Sequence, residues 1–340
     1  MRTAPARARA TARTRAAAPA APRVAPAAPA RSAARAALAV LAALAALLAG
    51  GCGAAPSGDH KDPRRASAAP SASPRTTFVG VFSPEDGSTV GSGLIVSLRF
   101  SRPITDRAAV EHAVTVTSRP ARRVVGHWFG ARRLDLRPAD FWPAGARVTL
   151  TLRLAGVRGA PGVYGRQDKS VHFTVARDQR STVDVRTHTM TVVRDGVLLR
   201  SLPITAGSPE HTTYNGIMVI TEKYRTTRMN GSTVGFGGEY DIPDVPHAMR
   251  LTASGTFVHG NYWSPPGVFG AADVSHGCVG LPDVRGAGDP DTPAAWFYDH
   301  SLIGDPVRVL GSDDAVVAPD NGLGGWNLDW PQWTAGSALG

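Results

Sequence analysis

The sequence predicts a mainly β protein built as two consecutive β-rich domains. Short runs of β-branched and aromatic residues, separated by Gly, Pro, Asn and Asp turns, recur from residue 78 to residue 310. Residues 147–154 alternate apolar and polar without a break, the period of a strand half-buried in an antiparallel sheet. The helix signal is confined to one short segment, where Thr292 stands as an N-cap before Pro293 and the apolar Trp296 and Phe297.

Residues 1–51 of the 340 have the order of an export leader: an Arg- and Ala-rich start, an apolar run at 36–48, then Ala49, Gly50, Gly51 and Cys52. That run is short of the ~20 residues a spanning helix needs, so cleavage is expected. Small residues before a lone Cys resemble a bacterial lipoprotein signal, with Cys52 as the lipid-bearing residue and the outer face of the cell membrane as its location. An ordinary signal peptide with an incidental Cys is the alternative. Eight Arg and no acid fall in this leader, leaving 29 basic against 27 acidic residues beyond it. The formal charge of +10 therefore describes the leader and not a binding surface, which excludes a nucleic-acid partner. Residues 52–77, rich in Ser, Ala, Pro and Gly, read as a flexible tether.

Residues 78–176 hold candidate strands at 78–82, 94–100, 114–117, 133–136, 147–154 and 170–175, a spacing that predicts an immunoglobulin-like β-sandwich. No cluster of catalytic residue types occurs there, so it reads as a spacer. Arg119, Arg122, Arg123, Arg132 and Arg133 read as a solvated edge, with contact to an anionic wall polymer as the other reading.

Residues 177–311 form the second domain. Asp195 and Gly196 between two apolar runs predict a hairpin with a type I′ turn. Residues 225–247, rich in Gly, Asn and Thr, read as a long loop acting as a flap. Strands at 249–252 and 256–259 deliver His259, and a strand at 306–310 closes the sheet. In the tail, 312–340, Trp326, Trp330 and Trp333 have helical spacing, but Pro331 argues against an unbroken helix; the tail is expected to pack on the second domain.

The chemistry concentrates between His259 and Leu281. If Cys52 is acylated, Cys278 has no disulfide partner and is a free thiol in an oxidising compartment, for which nucleophilic catalysis is the leading reason. His276, two residues before it, and His259, at a strand end, are both candidate bases, and local spacing favours His276. Backbone N–H groups of Gly277 and Cys278 are candidate oxyanion donors. A metal site from His259, His276 and Cys278 lacks a second Cys or a carboxylate pattern, so neither metal nor cofactor is expected.

His259 and Gly260, a further fourteen residues, then Ser275, His276, Gly277 and Cys278 resemble the signature of the L,D-transpeptidase (YkuD-type) catalytic domain. The immunoglobulin-like module, the Asp195-Gly196 hairpin, Gly304 to Val307 and the Trp-rich tail resemble the two-domain actinobacterial members, over residues 78–340. The resemblance implies that Cys278 attacks a donor tetrapeptide stem of peptidoglycan, expels D-Ala and leaves a thioester. An acceptor amine on a neighbouring stem resolves the thioester into a 3→3 cross-link. It makes His259 the base, with His276 and Gly277 supporting, and Tyr240, Gly260, Ser275 and Gly280 around the substrate; carbapenems are implied covalent inhibitors. Where the family often has Asn or Arg, this chain has Gly280. Hydrolysis of the same thioester, an L,D-carboxypeptidase activity, and a catalytically weak wall-binding lipoprotein are the alternatives.

Overall fold

The computed structural model describes residues 76–235 and 237–340. The leader, Cys52 and the tether up to residue 75 lie outside the described residues, while Thr76 and Thr77, expected in the tether, open the strand Thr76–Phe78. The N-terminal sandwich pairs two antiparallel-rich sheets. One has the order Gly80–Ser83, Val96–Phe100, Arg133–Pro138, Val124–Phe129; the other has Thr89–Val90, Asp168–Val175, Arg147–Arg153, Val114–Arg119. In the strand Arg147–Arg153 the alternation sends Val148, Leu150 and Leu152 into the core, while the intervening residues face outward.

The strand Arg133–Pro138 departs from that pattern and is buried on both faces. Its outer face is covered by the C-terminal tail. Buried Arg133 pairs with Asp135 and donates to the backbone oxygens of Asp320 (2.7 Å) and Gly322 (2.6 Å). It is therefore a docking residue for the tail and not part of a solvated edge, although Arg119, Arg122, Arg123 and Arg132 are exposed as expected. The Arg137 guanidinium lies over the rings of Trp326, Trp330 and Trp333. Trp333 is fully buried in the N-terminal core and donates through Nε1 to the Val125 carbonyl.

The tail packs on both domains, and not on the second alone: Asp314, Asn321 and Asn327 bond Thr212, Ser254 and Ile217 of the second domain. Val317 reaches the second core, but the Trp-rich end seats on the first sandwich. A short helix, Trp330–Thr334, does form despite Pro331. Proline is tolerated in a first turn, and Asp329 and Gln332 close a capping box around it.

The second domain stacks two sheets. The five-stranded one runs Val197–Pro203, Thr189–Arg194, Gln179–Asp184, Pro306–Leu310, Gly216–Val219. The four-stranded one runs Glu222–Asn230, Asp241–Arg250, Phe257–Asn261, Val279–Pro282. Met190, Met218, Met249, Val258, Leu281 and Phe297 are among the side chains filling the space between them. Asp195 and Gly196 both have positive φ, as the type I′ hairpin requires. The helix Pro293–His300 forms with Thr292 accepting from the Ala295 N–H.

The long-loop reading of 225–247 is corrected. Most of that segment is the paired arms of a hairpin, Glu222–Asn230 against Asp241–Arg250, and only its tip is a turn. The first arm has little burial on either face, so no apolar alternation was written into its sequence.

The two domains meet at Gly91 and Gly93, whose N–H groups donate to the carbonyls of Ile303 (2.8 Å) and Gly304 (2.9 Å). Arg177 grips Asp305 with two hydrogen bonds on the second-domain side of this joint, at 3.0 and 2.7 Å. Trp326 donates to the Gly93 carbonyl from the tail side.

Candidate active site

The strands Phe257–Asn261 and Val279–Pro282 run parallel, with His259 level with Gly280. Val258, Val279 and Leu281 point into the core of the second domain. Alternation therefore puts Phe257, His259, Asn261, Cys278 and Gly280 on the opposite face, and Cys278 packs there with Phe257, Val245 and Ala248. Candidate nucleophile and candidate base share that face.

Cys278 is 9% exposed, and its Sγ donates to the Gly255 carbonyl at 3.6 Å. Burial pushes the thiol up to about 11, against the opposing pull of a backbone hydrogen bond from Phe257 and the positive charge of Arg250. His259 is 4% exposed, and burial holds its imidazole below its ordinary value of 6.5, opposed by the Gly260 hydrogen bond and the Asp283 charge. Nδ1 lies 2.8 Å from the Gly260 carbonyl oxygen. A carbonyl can only accept, so Nδ1 carries the proton and Nε2 is the bare nitrogen. The Trp263 ring stacks on the imidazole at 5.7 Å and 19°. At neutral pH the arrangement is a neutral thiol with a neutral, oriented imidazole.

The surrounding backbone is tightly braced. Ser275 Oγ donates to the Cys278 carbonyl at 2.6 Å and accepts from the Gly277 N–H at 3.2 Å. Gly277 has φ +99°, which L side chains rarely adopt. The Gly277 N–H expected to meet an oxyanion is thus engaged within the turn, as is the Ser275 hydroxyl expected to meet substrate.

Gly260 and Gly280 are buried in their strands and present no surface to a substrate. The Asp283 carboxylate fills the space a side chain on Gly260 would need. That carboxylate also accepts from Thr292 Oγ1 (3.0 Å) and pairs with buried His247 Nδ1 at 2.8 Å. Gly280 exchanges two backbone hydrogen bonds with Thr205, at 2.8 and 3.0 Å. A Cβ there would come within 2.8 Å of the Thr205 methyl and 3.4 Å of Asn261 Nδ2. The Thr205 methyl occupies the volume that a larger residue at 280 would claim. Among the residues expected around the substrate, Gly260 and Gly280 act here through their backbone and Ser275 braces the turn through its hydroxyl.

His276 and Tyr240 stand at the rim. The Tyr240 ring lies 4.9 Å from the His276 ring, and its hydroxyl is pushed up to about 12, chiefly by burial and then by the nearby Cys278. His276 Nε2 pairs with Glu239 Oε2 at 3.2 Å, and its ring stacks on His211 at 4.8 Å. Of the metal donors weighed from sequence, only His276 joins a convergent set among the described residues, and it does so with His211 and Glu239.

Two cavities flank Gly255. One, of about 270 Å³, is lined by His211, Thr256, His276 and Gly277; the other, of about 140 Å³, by Tyr240, Arg250 and Phe257. His211, Glu239, His247, Asn261, Trp263 and Asp283 were all missed from the sequence. They come from separate turns and strand ends, and only the folded register brings them together.

Comparison with known proteins adds the decisive observation. Residues 178–309 match the L,D-transpeptidase catalytic domain, and residues 53–158 match a bacterial Ig domain. L,D-transpeptidase 1 of Mycobacterium tuberculosis is 31% identical over 68% of this chain and 85% of its own length. The chain belongs to the L,D-transpeptidase family. L,D-transpeptidases 2 and 5 of the same organism are each 34% identical, over 75% and 78% of this chain. The chain spans only 61% and 58% of their lengths.

Among solved structures, an L,D-transpeptidase in complex with imipenem superposes with a TM-score of 0.58 at 29% identity, over 70% of this chain and 100% of the other. L,D-transpeptidase 3 of M. tuberculosis with a faropenem-derived adduct gives 0.54 at 30% identity, over 67% and 96%. The observed mainly β fold, with an Ig-like domain ahead of an L,D-transpeptidase domain, agrees with these matches.

Proposed function

We propose that this chain is a peptidoglycan L,D-transpeptidase that forms 3→3 cross-links through a thioester on Cys278. The observation that carries the reading is the oriented imidazole of His259, with Nδ1–H held by Gly260 and bare Nε2 on the face it shares with a buried, protonated thiol.

In the proposed reaction, His259 Nε2 takes the thiol proton as Sγ attacks the carbonyl carbon of the third stem residue. The carbon–nitrogen bond to the terminal D-Ala breaks, and the imidazolium returns the proton to the departing amine. An acceptor amine then attacks the thioester. His259 removes the amine proton and passes it to the departing thiolate, restoring the enzyme. The Cys278 N–H is the proposed oxyanion donor, braced by the Ser275 bridge. The two cavities on either side of Gly255, whose carbonyl accepts from Cys278 Sγ, are the proposed approaches for donor and acceptor.

With water in place of the amine the same site is a carboxypeptidase, and product analysis distinguishes the two. The imipenem and faropenem complexes of the relatives support carbapenems as acylating inhibitors here. Membrane attachment through acylated Cys52 is part of the proposal, and Cys52→Ala should move the protein to the soluble fraction. Intact-mass measurement with imipenem tests the nucleophile. A single covalent adduct mapping to Cys278 and lost in Cys278→Ala is expected, and its absence overturns the assignment.

A further inference from the structure

His211, Glu239 and His276 converge at the rim of the larger cavity from three separate segments. Both imidazole Nε2 atoms meet the same carboxylate oxygen, His211 at 3.0 Å and His276 at 3.2 Å from Glu239 Oε2. All three ligand atoms lie within 4.8 Å of one another.

Two of the three segments are tied together before the third arrives. Ser275 N–H donates to the Ala206 carbonyl (3.0 Å), Ser208 N–H donates to the Ser275 carbonyl (2.9 Å), and His211 N–H closes the same turn onto Ser208 (2.9 Å). The two imidazoles are therefore held side by side by backbone, stacked at 4.8 Å and 21°. Glu239 reaches them from the tip of the hairpin flap.

We propose that these three residues form a binding site for a divalent transition cation of the zinc class. Two imidazole nitrogens and one carboxylate oxygen are a donor set suited to zinc, nickel or copper, whereas calcium and magnesium take oxygen ligands. With metal–ligand bonds of about 2.0–2.2 Å, tetrahedral geometry separates neighbouring donors by about 3.3 Å. Two edges of the triangle, at 3.0 and 3.2 Å, already have that length. The third edge, between the two imidazole nitrogens, lies within 4.8 Å, and an ion held by the three donors keeps a fourth tetrahedral position open.

Occupation pins the flap to the two loops that carry His211 and His276, across the mouth of the cavity beside Gly277. The binding site stands apart from the proposed reaction.

Titration calorimetry of the purified chain with zinc alone tests the site. One zinc per chain is expected in the wild type and equally in Cys278→Ala. A loss of affinity of ~10-fold or more is expected in His211→Ala and in Glu239→Gln. Thermal unfolding gives a second readout: zinc should raise the midpoint of the wild type and of Cys278→Ala but not of the His211→Ala/Glu239→Gln chain. Unchanged binding in that double variant, or loss of binding in Cys278→Ala, overturns the proposal by putting the ion elsewhere or on the thiol.

Discussion

The carbonyl oxygen of Gly260 accepts the Nδ1 proton of its neighbour His259 at 2.8 Å, and this one bond decides which imidazole nitrogen can act as a base. Both residues sit in a buried strand, so the ring cannot turn without breaking the bond and finding another partner.

The pH dependence of acylation follows from that arrangement. Burial lowers His259 and raises Cys278, so both are neutral near pH 7, and in the proposed reaction the thiol gives its proton to Nε2. The rate of imipenem adduct formation, followed by intact mass, should stay level from neutral pH down past 6.5, the ordinary histidine value. It should fall only where His259 becomes protonated. His259→Ala should slow the reaction by about 10²–10⁴-fold. A rate that instead climbs steadily with pH up to 9 would mean that the thiol ionises without a base.

Restoring a polar residue at position 280 should cost stability. Gly280→Asn drives a Cβ against the Thr205 methyl, an overpacking expected to cost about 1–3 kcal/mol in chemical denaturation. Thr205→Ser in the same chain should recover part of that loss by removing the methyl while keeping the hydroxyl that bonds Ala272 and Val274. If Gly280→Asn alone unfolds at the wild-type denaturant concentration, the Thr205 methyl is not the occupant of that volume.

The tail should behave as part of the N-terminal core. Trp333→Ala removes a fully buried indole and its hydrogen bond to Val125, and uncovers Arg137; an expected cost of about 3–5 kcal/mol is measurable by denaturant unfolding. A change within ~0.5 kcal/mol would show the tail to be ornamental to folding.

What was legible in the sequence was what is local. The Asp195-Gly196 turn, the Thr292 cap and the alternation around Leu150 each depend on neighbours within a few residues, and each appears in the fold. The first flap arm was hidden because it extends from the sheet with little burial, so its pairing leaves no apolar period. Arg133 looked solvated because its partners, the carbonyls of Asp320 and Gly322, lie nearly two hundred residues downstream. At the site, spacing favoured His276 as the base because it is two residues from Cys278. The parallel register of two strands brings His259 to the same face, and His276 turns to Glu239 at the rim.

The most direct test of cross-linking through Cys278 is mass-spectrometric product analysis after incubation with a purified disaccharide-tetrapeptide. A 3→3-linked dimer with one free D-Ala per bond is expected from the wild-type chain, and no product from Cys278→Ala. Tripeptide monomer without dimer, or a dimer that persists in Cys278→Ala, would contradict it.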